Sequence, residues 1–276
     1  MSNKIVKFIE DLQKNEEEFV VGRVIETNGS APRKEGAVMV IASRGKREGT
    51  VGGGRIEAET ELLCKEAFIN KEKSKKVHFK LNTEEQDSID MGCGGEATVE
   101  INYIGKGERF AFLEELMPKG TAYIFGAGHV GQALEPLLRY VDFETIVIDD
   151  RADFANRENF PDATEVRVIK SFEDSFDGIE TDGDSYIVIV TRGHLGDKDV
   201  VADAIKRENA YIGMIGSRKK TELLYGMLRE EGADMDALAK VYTPIGENIF
   251  AETPEEIGVS IAAEMIKVRA LKKKNS

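Results

Sequence analysis

The sequence predicts an α/β protein in two parts: a smaller N-terminal α+β domain and a C-terminal Rossmann-like parallel-sheet domain. From residue 121 onwards, apolar strands alternate with helical segments, which is typical of a parallel sheet with crossover helices. Before residue 105, short apolar runs are joined by turn-forming residues, as in β-hairpins. We therefore place the smaller N-terminal domain at residues 1–105, a linker at 106–120 and the Rossmann-like domain at 121–276.

A glycine-rich turn is the most informative motif of the C-terminal part. The apolar run Ala122 to Phe125 leads into Gly126, Gly128 and Gly131, with the spacing G-x-G-x-x-G, and a helical segment follows. In dinucleotide-binding folds the first glycine permits a tight turn, the second lets the backbone approach a pyrophosphate, and the third lets the helix pack on the strand. We predict that these glycines, with His129 between them, bind a dinucleotide.

An acidic residue follows the next predicted strand. Thr145 to Ile148 is a β-like run, and Asp149 comes directly after it. A carboxylate at this place accepts hydrogen bonds from ribose hydroxyls and repels a 2′-phosphate. The sequence thus predicts binding of NAD in preference to NADP. A Rossmann-shaped scaffold that has lost its nucleotide is the alternative.

Two further strands of the predicted sheet end in glycine-containing loops. Arg192 and His194 follow the strand at residues 184–191, and Ser217 and Arg218 follow the strand at 210–215. Helices are predicted next, over residues 199–207 and 221–230. Because ligands of open parallel sheets bind at the carboxyl ends of the strands, these loops should converge on one site. We predict cofactor contacts for Arg192, Ser217 and Arg218 and a catalytic role for His194; solvent-facing charge is the alternative for both arginines.

Three consecutive glycines mark a second candidate site, in the N-terminal part. Gly52, Gly53 and Gly54 stand between a predicted hairpin and a helix over residues 56–70. A phosphate or pterin-like anion at the start of that helix would explain the bare backbone, and Arg55 would add positive charge. A flexible hinge is the alternative.

The two cysteines have different surroundings. Cys64 lies in the middle of an apolar helical segment and is predicted to pack in the core. Cys93 lies among glycines in the run Met91 to Glu96, where exposed N–H groups can lower the pKa of a thiol. We predict that Cys93 is a reactive or ligating thiol, with an inert residue as the alternative.

Charge and composition exclude several classes of partner. The net charge of −13 over 276 residues leaves no basic stripe for nucleic acid and disfavours an anionic membrane surface. The N-terminal segment lacks the apolar core of a signal peptide, and no apolar run approaches the ~18 residues of a membrane span. Two cysteines without a C-x-x-C pair form no disulfide framework. We expect a cytoplasmic protein.

Eight motifs together resemble the xanthine dehydrogenase accessory proteins of the XdhC/CoxI type. In chain order the motifs are TNGSAPR at Thr27–Arg33, GTVGGGRIE at Gly49–Glu57, CGG at Cys93–Gly95, IFGAGHVG at Ile124–Gly131, TRGH at Thr191–His194, YIGMIGSR at Tyr211–Arg218, PIG at Pro244–Gly246 and TPEEI at Thr253–Ile257. They extend over nearly the whole chain. Two departures stand out: Arg55 occupies a position where some relatives carry a cysteine, and the segment after PIG reads ENIF.

The resemblance implies a function in cofactor handover but no obvious role in it for the Rossmann-like part, for which a regulatory or redox nucleotide is the expectation. Such proteins receive molybdenum cofactor (molybdopterin), hold it while a cysteine desulfurase installs its terminal sulfur, and deliver it to a molybdenum hydroxylase apoenzyme. They act as chaperones without independent turnover, typically as homodimers. For this cargo we predict that the Gly52–Arg55 segment holds the pterin phosphate and that the thiol of Cys93 approaches the molybdenum.

Two other classes of function fit the same residues. A nicotinamide-dependent oxidoreductase would hold its substrate in the N-terminal domain and needs a general acid or base near the nicotinamide. The histidines in reach are His129 and His194, and Asp197 or Asp199 would have to orient one of them. A nucleotide-sensing regulator without chemistry is the third possibility.

Overall fold

The structure is a computed structural model that describes residues 3–29, 35–80, 95–113 and 120–275. The chain divides into two units, Met1–Met117 and Pro118–Ser276. Cys93 and the glycines on either side of it lie outside the described residues.

The N-terminal unit is an antiparallel sheet with a helix on each face. Its elements are α1 (Asn3–Lys14), β1 (Phe19–Asn28), β2 (Val38–Ala42), β3 (Arg47–Gly49), α2 (Gly54–Asn70), β4 (Lys75–Lys80) and β5 (Glu96–Ile104). The strand order is β3-β2-β1-β5-β4. Alternate residues of β1 point to opposite faces, so Val20 packs in the cluster that contains Cys64 of α2, while Val21 packs with Ile9 of α1.

The C-terminal unit is a five-stranded parallel sheet between helices. Its elements are β6 (Thr121–Phe125), α3 (His129–Tyr140), β7 (Glu144–Asp149), β8 (Glu165–Val168), a 3₁₀ turn (Phe172–Asp174), β9 (Ser185–Ile189), α4 (His194–Ala204), β10 (Tyr211–Met214), α5 (Arg218–Glu230), α6 (Met235–Leu238) and α7 (Pro254–Asn275). The order β10-β9-β6-β7-β8 is that of a Rossmann fold, with its order reversing between β6 and β9. The predicted fold class is confirmed.

A single residue stands in place of a sixth strand. Tyr242 forms a parallel bridge with Gly213 of β10, and its carbonyl accepts the N–H of Met214 at 2.9 Å. Its own N–H donates to the carbonyl of Ile212 at 2.9 Å. The doubly wound order of dinucleotide-binding folds has six strands, and here the sixth is reduced to this bridge.

Apolar side chains cover both faces of the parallel sheet. Ile124 and Val147 pack with Met265 of α7 on one face, where Leu134 and Leu138 of α3 also lie. Phe125 of β6 lies on the other face, in the cluster built by α4 and α5. The strands are therefore buried on both sides, as their continuous apolar sequences predict.

Two helices begin earlier than the sequence pattern predicts. The predicted starts are residues 199 and 221, whereas α4 begins at His194 and α5 at Arg218. Gly193 and Ser217 are the capping residues, and the hydroxyl of Ser217 accepts the N–H of Lys220 at 3.3 Å. Caps do not contribute to apolar periodicity, which is why the pattern misses the first turns.

The last helix begins where its capping box predicts. The N–H of Glu256 donates to the hydroxyl of Thr253 at 3.2 Å, and the N–H of Thr253 donates to the carboxylate of Glu256 at 3.0 Å. Within the described part of the chain, no helix is long and apolar enough to cross a membrane.

Candidate functional site

The glycine-rich turn lies at the carboxyl end of the central strand. Gly126 has φ +121°, and a Cβ there would lie 2.3 Å from the carbonyl oxygen of Val190. A Cβ on Gly131 would lie 2.1 Å from the carbonyl oxygen of Gly126. At Gly128 a Cβ would meet no atom within 4 Å. The first and third glycines are thus required by the protein's own packing, whereas the second faces open space that a ligand can enter.

The start of α3 is suited to an anion. Gly128 is the N-cap and has no side chain to accept the first N–H groups of the helix. His129 is the first helical residue and its side chain is exposed. Unpaired N–H groups and the positive end of the helix dipole both favour negative charge. This turn therefore has backbone features that favour an anion.

Asp149 is engaged by protein groups on both carboxylate oxygens. It is 1% exposed; its Oδ2 accepts the N–H of Ala127 at 2.8 Å, and its Oδ1 accepts the N–H of Arg151 at 3.0 Å. The guanidinium of Arg151 donates to both oxygens, at 2.8 and 2.9 Å. Burial alone would raise the pKa of Asp149, but these hydrogen bonds outweigh it and hold the pKa below its ordinary value.

Arg151 is a residue of this edge that the sequence pattern did not single out. Its guanidinium lies 3.9 Å from the centre of the Phe154 ring, and its side chain is 24% exposed. A ribose approaching Asp149 would therefore first meet Arg151. The signal was an arginine two residues after the acid, with an aromatic residue three positions further on.

Arg192 reaches across the glycine-rich turn. Its Nη2 donates to Asp150 Oδ2 at 2.8 Å, which joins the loop after β9 to the end of β7. Since β6 lies between these two strands, the ion pair spans the carboxyl end of β6. The side chain of Arg192 is 58% exposed, so the pair is a weak one that a ligand phosphate can replace.

A buried ionic cluster lies on the other side of the turn. Asp197 is 0% exposed; its Oδ1 accepts the hydroxyl of Thr191 at 2.6 Å, and its Oδ2 accepts the ammonium of Lys220 at 2.5 Å. Burial raises the pKa of Asp197, and the bonds from Lys220 and Thr191 offset only part of that effect. Asp197 thus orients a lysine, whereas the sequence indicated a histidine as its partner.

The other predicted residues of this edge lie at helix starts. His194 and Arg218 are the first residues of α4 and α5, and both side chains are exposed. Ser217 caps α5. Asp199, the other acid considered for a histidine, lies 3.7 Å from the ammonium of Lys198.

The glycine run of the N-terminal unit adopts a conformation that only glycine favours. Gly52, Gly53 and Gly54 have φ angles of +145°, +76° and +57°. The carboxylate of Glu57 accepts the N–H of Gly53 at 3.0 Å and the hydroxyl of Thr50. An anion at this helix start would therefore have to compete with a carboxylate of the protein itself.

The pKa of Glu57 reflects those partners. Burial would raise the pKa, but the hydrogen bonds from Thr50 and Gly53 and the charge of Arg47 hold it below its ordinary value. Glu57 is therefore ionised at neutral pH, and it repels a second anion at the glycine run.

A groove lies beside the first turn of α2. It is lined by Arg55, Ile56, Glu59, His78, Phe79 and Lys80. Arg55 is 78% exposed and pairs with Glu59 at 2.5 Å. Lys80 is the last residue of β4, directly before the segment that contains Cys93, which is outside the described residues.

Cys64 occupies the core, as predicted. It is 0% exposed, and burial together with the charge of Glu61 raises the pKa of its thiol to about 12. Such a thiol is not available as a nucleophile or ligand at neutral pH. In the described ranges, no three His, Cys, Asp or Glu side chains are grouped so as to hold a metal ion.

Two known proteins share long alignments with this chain. YqeB of Escherichia coli (strain K12), an uncharacterized protein, is 28% identical over 251 residues, which cover 91% of this chain and 43% of YqeB. The chain therefore spans less than half of the length of that relative. A Bacillus subtilis (strain 168) protein, named as a probable xanthine dehydrogenase subunit, is 22% identical, with 95% of this chain and 96% of that protein covered.

A match among the solved structures has the same fold. It is a Bacillus halodurans protein described as a xanthine dehydrogenase, with a TM-score of 0.80 and 23% identity. The match covers 100% of this chain and 98% of that one. At this level of identity the similarity shows a shared fold.

Two family models match the chain, one in each unit. The model of the XdhC and CoxI family matches residues 12–80. The model of the XdhC Rossmann domain matches residues 122–265, which is more than half of the chain. The chain therefore belongs to the XdhC and CoxI family, as its motifs predicted.

Proposed function

We propose that this chain is a maturation factor that receives molybdenum cofactor and delivers it to a xanthine dehydrogenase-type molybdenum hydroxylase. The observation that carries the proposal is the family match in both units, in chain order. The names of the Bacillus relatives, which refer to xanthine dehydrogenase, support a partner of that class. A cysteine desulfurase and a second copy of this chain are the further partners that we propose.

We assign the cargo to the N-terminal unit. The groove that contains Arg55, His78 and Lys80 offers cationic and hydrogen-bonding side chains to a pterin phosphate. Gly52–Gly54 belong to the same proposed site, but Glu57 already accepts the N–H of Gly53 and limits what these glycines offer an anion. The phosphate is therefore expected on the Arg55 side of the helix start.

We assign a dinucleotide to the C-terminal unit. Gly126, Gly128 and Gly131 supply the turn, and the start of α3 supplies N–H groups to the pyrophosphate. When bound, NAD or a related dinucleotide would supply hydride chemistry or a redox signal. Because Arg151 neutralises Asp149, we extend the proposal to NADP.

The first test is the recovery of cargo. We expect the full chain, purified from cells that make molybdenum cofactor, to carry a pterin that is detected by fluorescence after oxidation. Protein from cells unable to make the cofactor is the control and should carry none. Equal, background-level fluorescence in both preparations would contradict the proposed cargo.

Cys93→Ser tests the proposed molybdenum ligand. A thiolate is a softer ligand than a hydroxyl, so the variant should fold normally and lose retained cofactor. Retention is measured as pterin and molybdenum per chain, together with activation of the target hydroxylase. Wild-type retention and activation by this variant would remove Cys93 from the site.

Cys64→Ser is the matched control for that test. A hydroxyl in place of the buried thiol should destabilise the N-terminal unit by roughly 1–2 kcal/mol while cofactor retention stays unchanged. Thermal unfolding separates the two effects. If both variants lose cofactor and their free energies of unfolding fall by the same amount, the loss of cofactor reflects a general folding defect.

The nucleotide proposal has its own test. Calorimetric titration of nucleotide-free protein with NAD and with NADP should give binding in the micromolar to millimolar range. If neither binds at millimolar concentration, the C-terminal unit is a scaffold, and the cargo proposal stands unaffected.

A further inference from the structure

We propose that Lys220 donates a hydrogen bond to the half of a bound dinucleotide that lies beyond the pyrophosphate, with Asp197 as its positioning residue. This inference rests on the proposed dinucleotide binding. It names a contact residue that lies outside the glycine-rich turn and the β7 acid.

The position of the cluster in the sheet carries the argument. The glycine-rich turn lies against the end of β9, because a Cβ on Gly126 would be 2.3 Å from the carbonyl of Val190. Thr191 follows at once and bonds to Asp197, which in turn bonds to Lys220. Along the carboxyl edge, Asp149 therefore lies on one side of the turn and Lys220 on the other.

A dinucleotide lies across this edge where the strand order reverses. With its pyrophosphate at the glycine-rich turn, one nucleoside extends toward β7 and the other toward β9 and β10. Asp149 and Arg151 meet the first nucleoside. Thr191 and Lys220 lie where the second is expected.

The chemistry of the cluster points to a hydrogen-bond donor. A fully buried carboxylate such as Asp197 is costly unless it is paired and hydrogen-bonded, and here two hydrogen bonds from Thr191 and one from Lys220 satisfy it. An ammonium has three N–H donors, one of which is directed to Asp197. The side chain of Lys220 is 29% exposed at the carboxyl edge.

The charge of the pair indicates the class of acceptor. Asp197 neutralises Lys220, so the pair attracts an additional anion less than an isolated lysine would. Neutral oxygens, such as ribose hydroxyls or a carboxamide carbonyl, are suitable acceptors. The second nucleoside of NAD carries both groups, whereas ADP lacks that nucleoside.

A second ion pair provides the control. Lys198 of α4 pairs with Glu231, the residue after α5, at 2.6 Å, and thus ties the same two helices together. Lys198→Met removes an ion pair between the helices. Lys220→Met removes an ion pair between the same helices and, in addition, the proposed ligand contact.

The experiment is a calorimetric titration of the full chain with NAD and, separately, with ADP. Lys220→Met should weaken NAD binding by about tenfold, the loss expected for one charge-assisted hydrogen bond, and leave ADP binding within about twofold of wild type. Lys198→Met should leave both affinities unchanged. Asp197→Asn should also reduce the NAD-to-ADP affinity ratio, and Lys220→Arg, which keeps a donor, should restore part of it.

Each other outcome overturns the inference. If Lys220→Met binds NAD with wild-type affinity, Lys220 does not contact the ligand. The same conclusion follows if the variant loses equal affinity for NAD and ADP and unfolds at a lower temperature. If Lys220→Met does not fold, an unchanged NAD-to-ADP ratio in soluble Asp197→Asn decides against it. If the wild-type chain binds ADP but NAD no better, the second nucleoside makes no contact. A wild-type chain that binds neither nucleotide refutes the proposed dinucleotide binding itself.

Discussion

At the scale of single residues, the carboxylate of Asp149 joins two parts of the carboxyl edge of the parallel sheet. It accepts the N–H of Ala127 in the glycine-rich turn and the guanidinium of Arg151 after β7. Both oxygens are used and the side chain is 1% exposed. Asp149 therefore holds the conformation of the turn through bonds within the protein, and a ribose would have to share these carboxylate oxygens.

Replacement of Asp149 by Asn should be destabilising. The change keeps the size of the side chain but removes the charge that lies nearest to Arg151, at 2.8 Å, and leaves only Asp150 at 3.8 Å, so we expect a loss of about 2 kcal/mol in the free energy of unfolding at pH 7. Denaturant unfolding measures it. Asp150→Asn, which alters the pair with the exposed Arg192 and the longer, 3.8 Å pair with Arg151, is the comparison and should cost less than about 1 kcal/mol.

The effect of Asp149→Asn should depend on pH in one direction. The pKa of Asp149 is lower in the folded state than in the unfolded state, so its contribution is fully present above the unfolded value of about 4. The contribution is lost as the pH falls through the folded value. The difference between wild type and variant should therefore shrink below about pH 4, and a difference that grows there would contradict the assigned partners.

At the scale of elements, two glycines of the glycine-rich turn have different surroundings: Gly126 packs against backbone, and Gly128 faces open space. Gly126 is held at φ +121° against the carbonyl of Val190, whereas Gly128 has φ −75° and open space around it. Both are glycines of one motif, and they should respond differently to the same substitution.

Gly126→Ala should cost at least about 2 kcal/mol of stability, because the added methyl meets backbone in a conformation unfavourable for alanine. Gly128→Ala should change stability by less than about 1 kcal/mol, because φ −75° suits alanine and no atom is nearby. Its added methyl should instead weaken NAD binding. Thermal unfolding and calorimetry of both variants test this, and equal stability losses would contradict it.

Local motifs explain which elements the sequence could predict. The capping box at Thr253 and Glu256, the glycine spacing and the buried strands depend on residues close together in the chain, and each is as expected. The Lys220–Asp197 pair joins residues 23 positions apart on two helices, and no local sequence pattern predicts it. Glu57 and Gly53 are only four residues apart, yet the apolar periodicity of the helix does not indicate their bond either.

At the scale of the whole molecule, the chain has separate hydrophobic cores. Of the four clusters formed by the described residues, two lie in Met1–Met117 and two in Pro118–Ser276. The two family matches also fall one in each unit. Each unit thus carries the apolar burial that a cooperative fold requires.

Residues 118–276 alone should therefore form a folded, cooperative domain. The parallel sheet is covered on both faces by helices of its own unit, so separation from residues 1–117 removes no part of these two cores. We expect a single urea transition with an m-value smaller than that of the full chain, because less surface is exposed on unfolding. Any NAD affinity of the full chain should be retained within about twofold, because the residues assigned to the dinucleotide all lie in this unit. A broad transition with strong binding of a hydrophobic dye would show that the C-terminal unit depends on the rest of the chain.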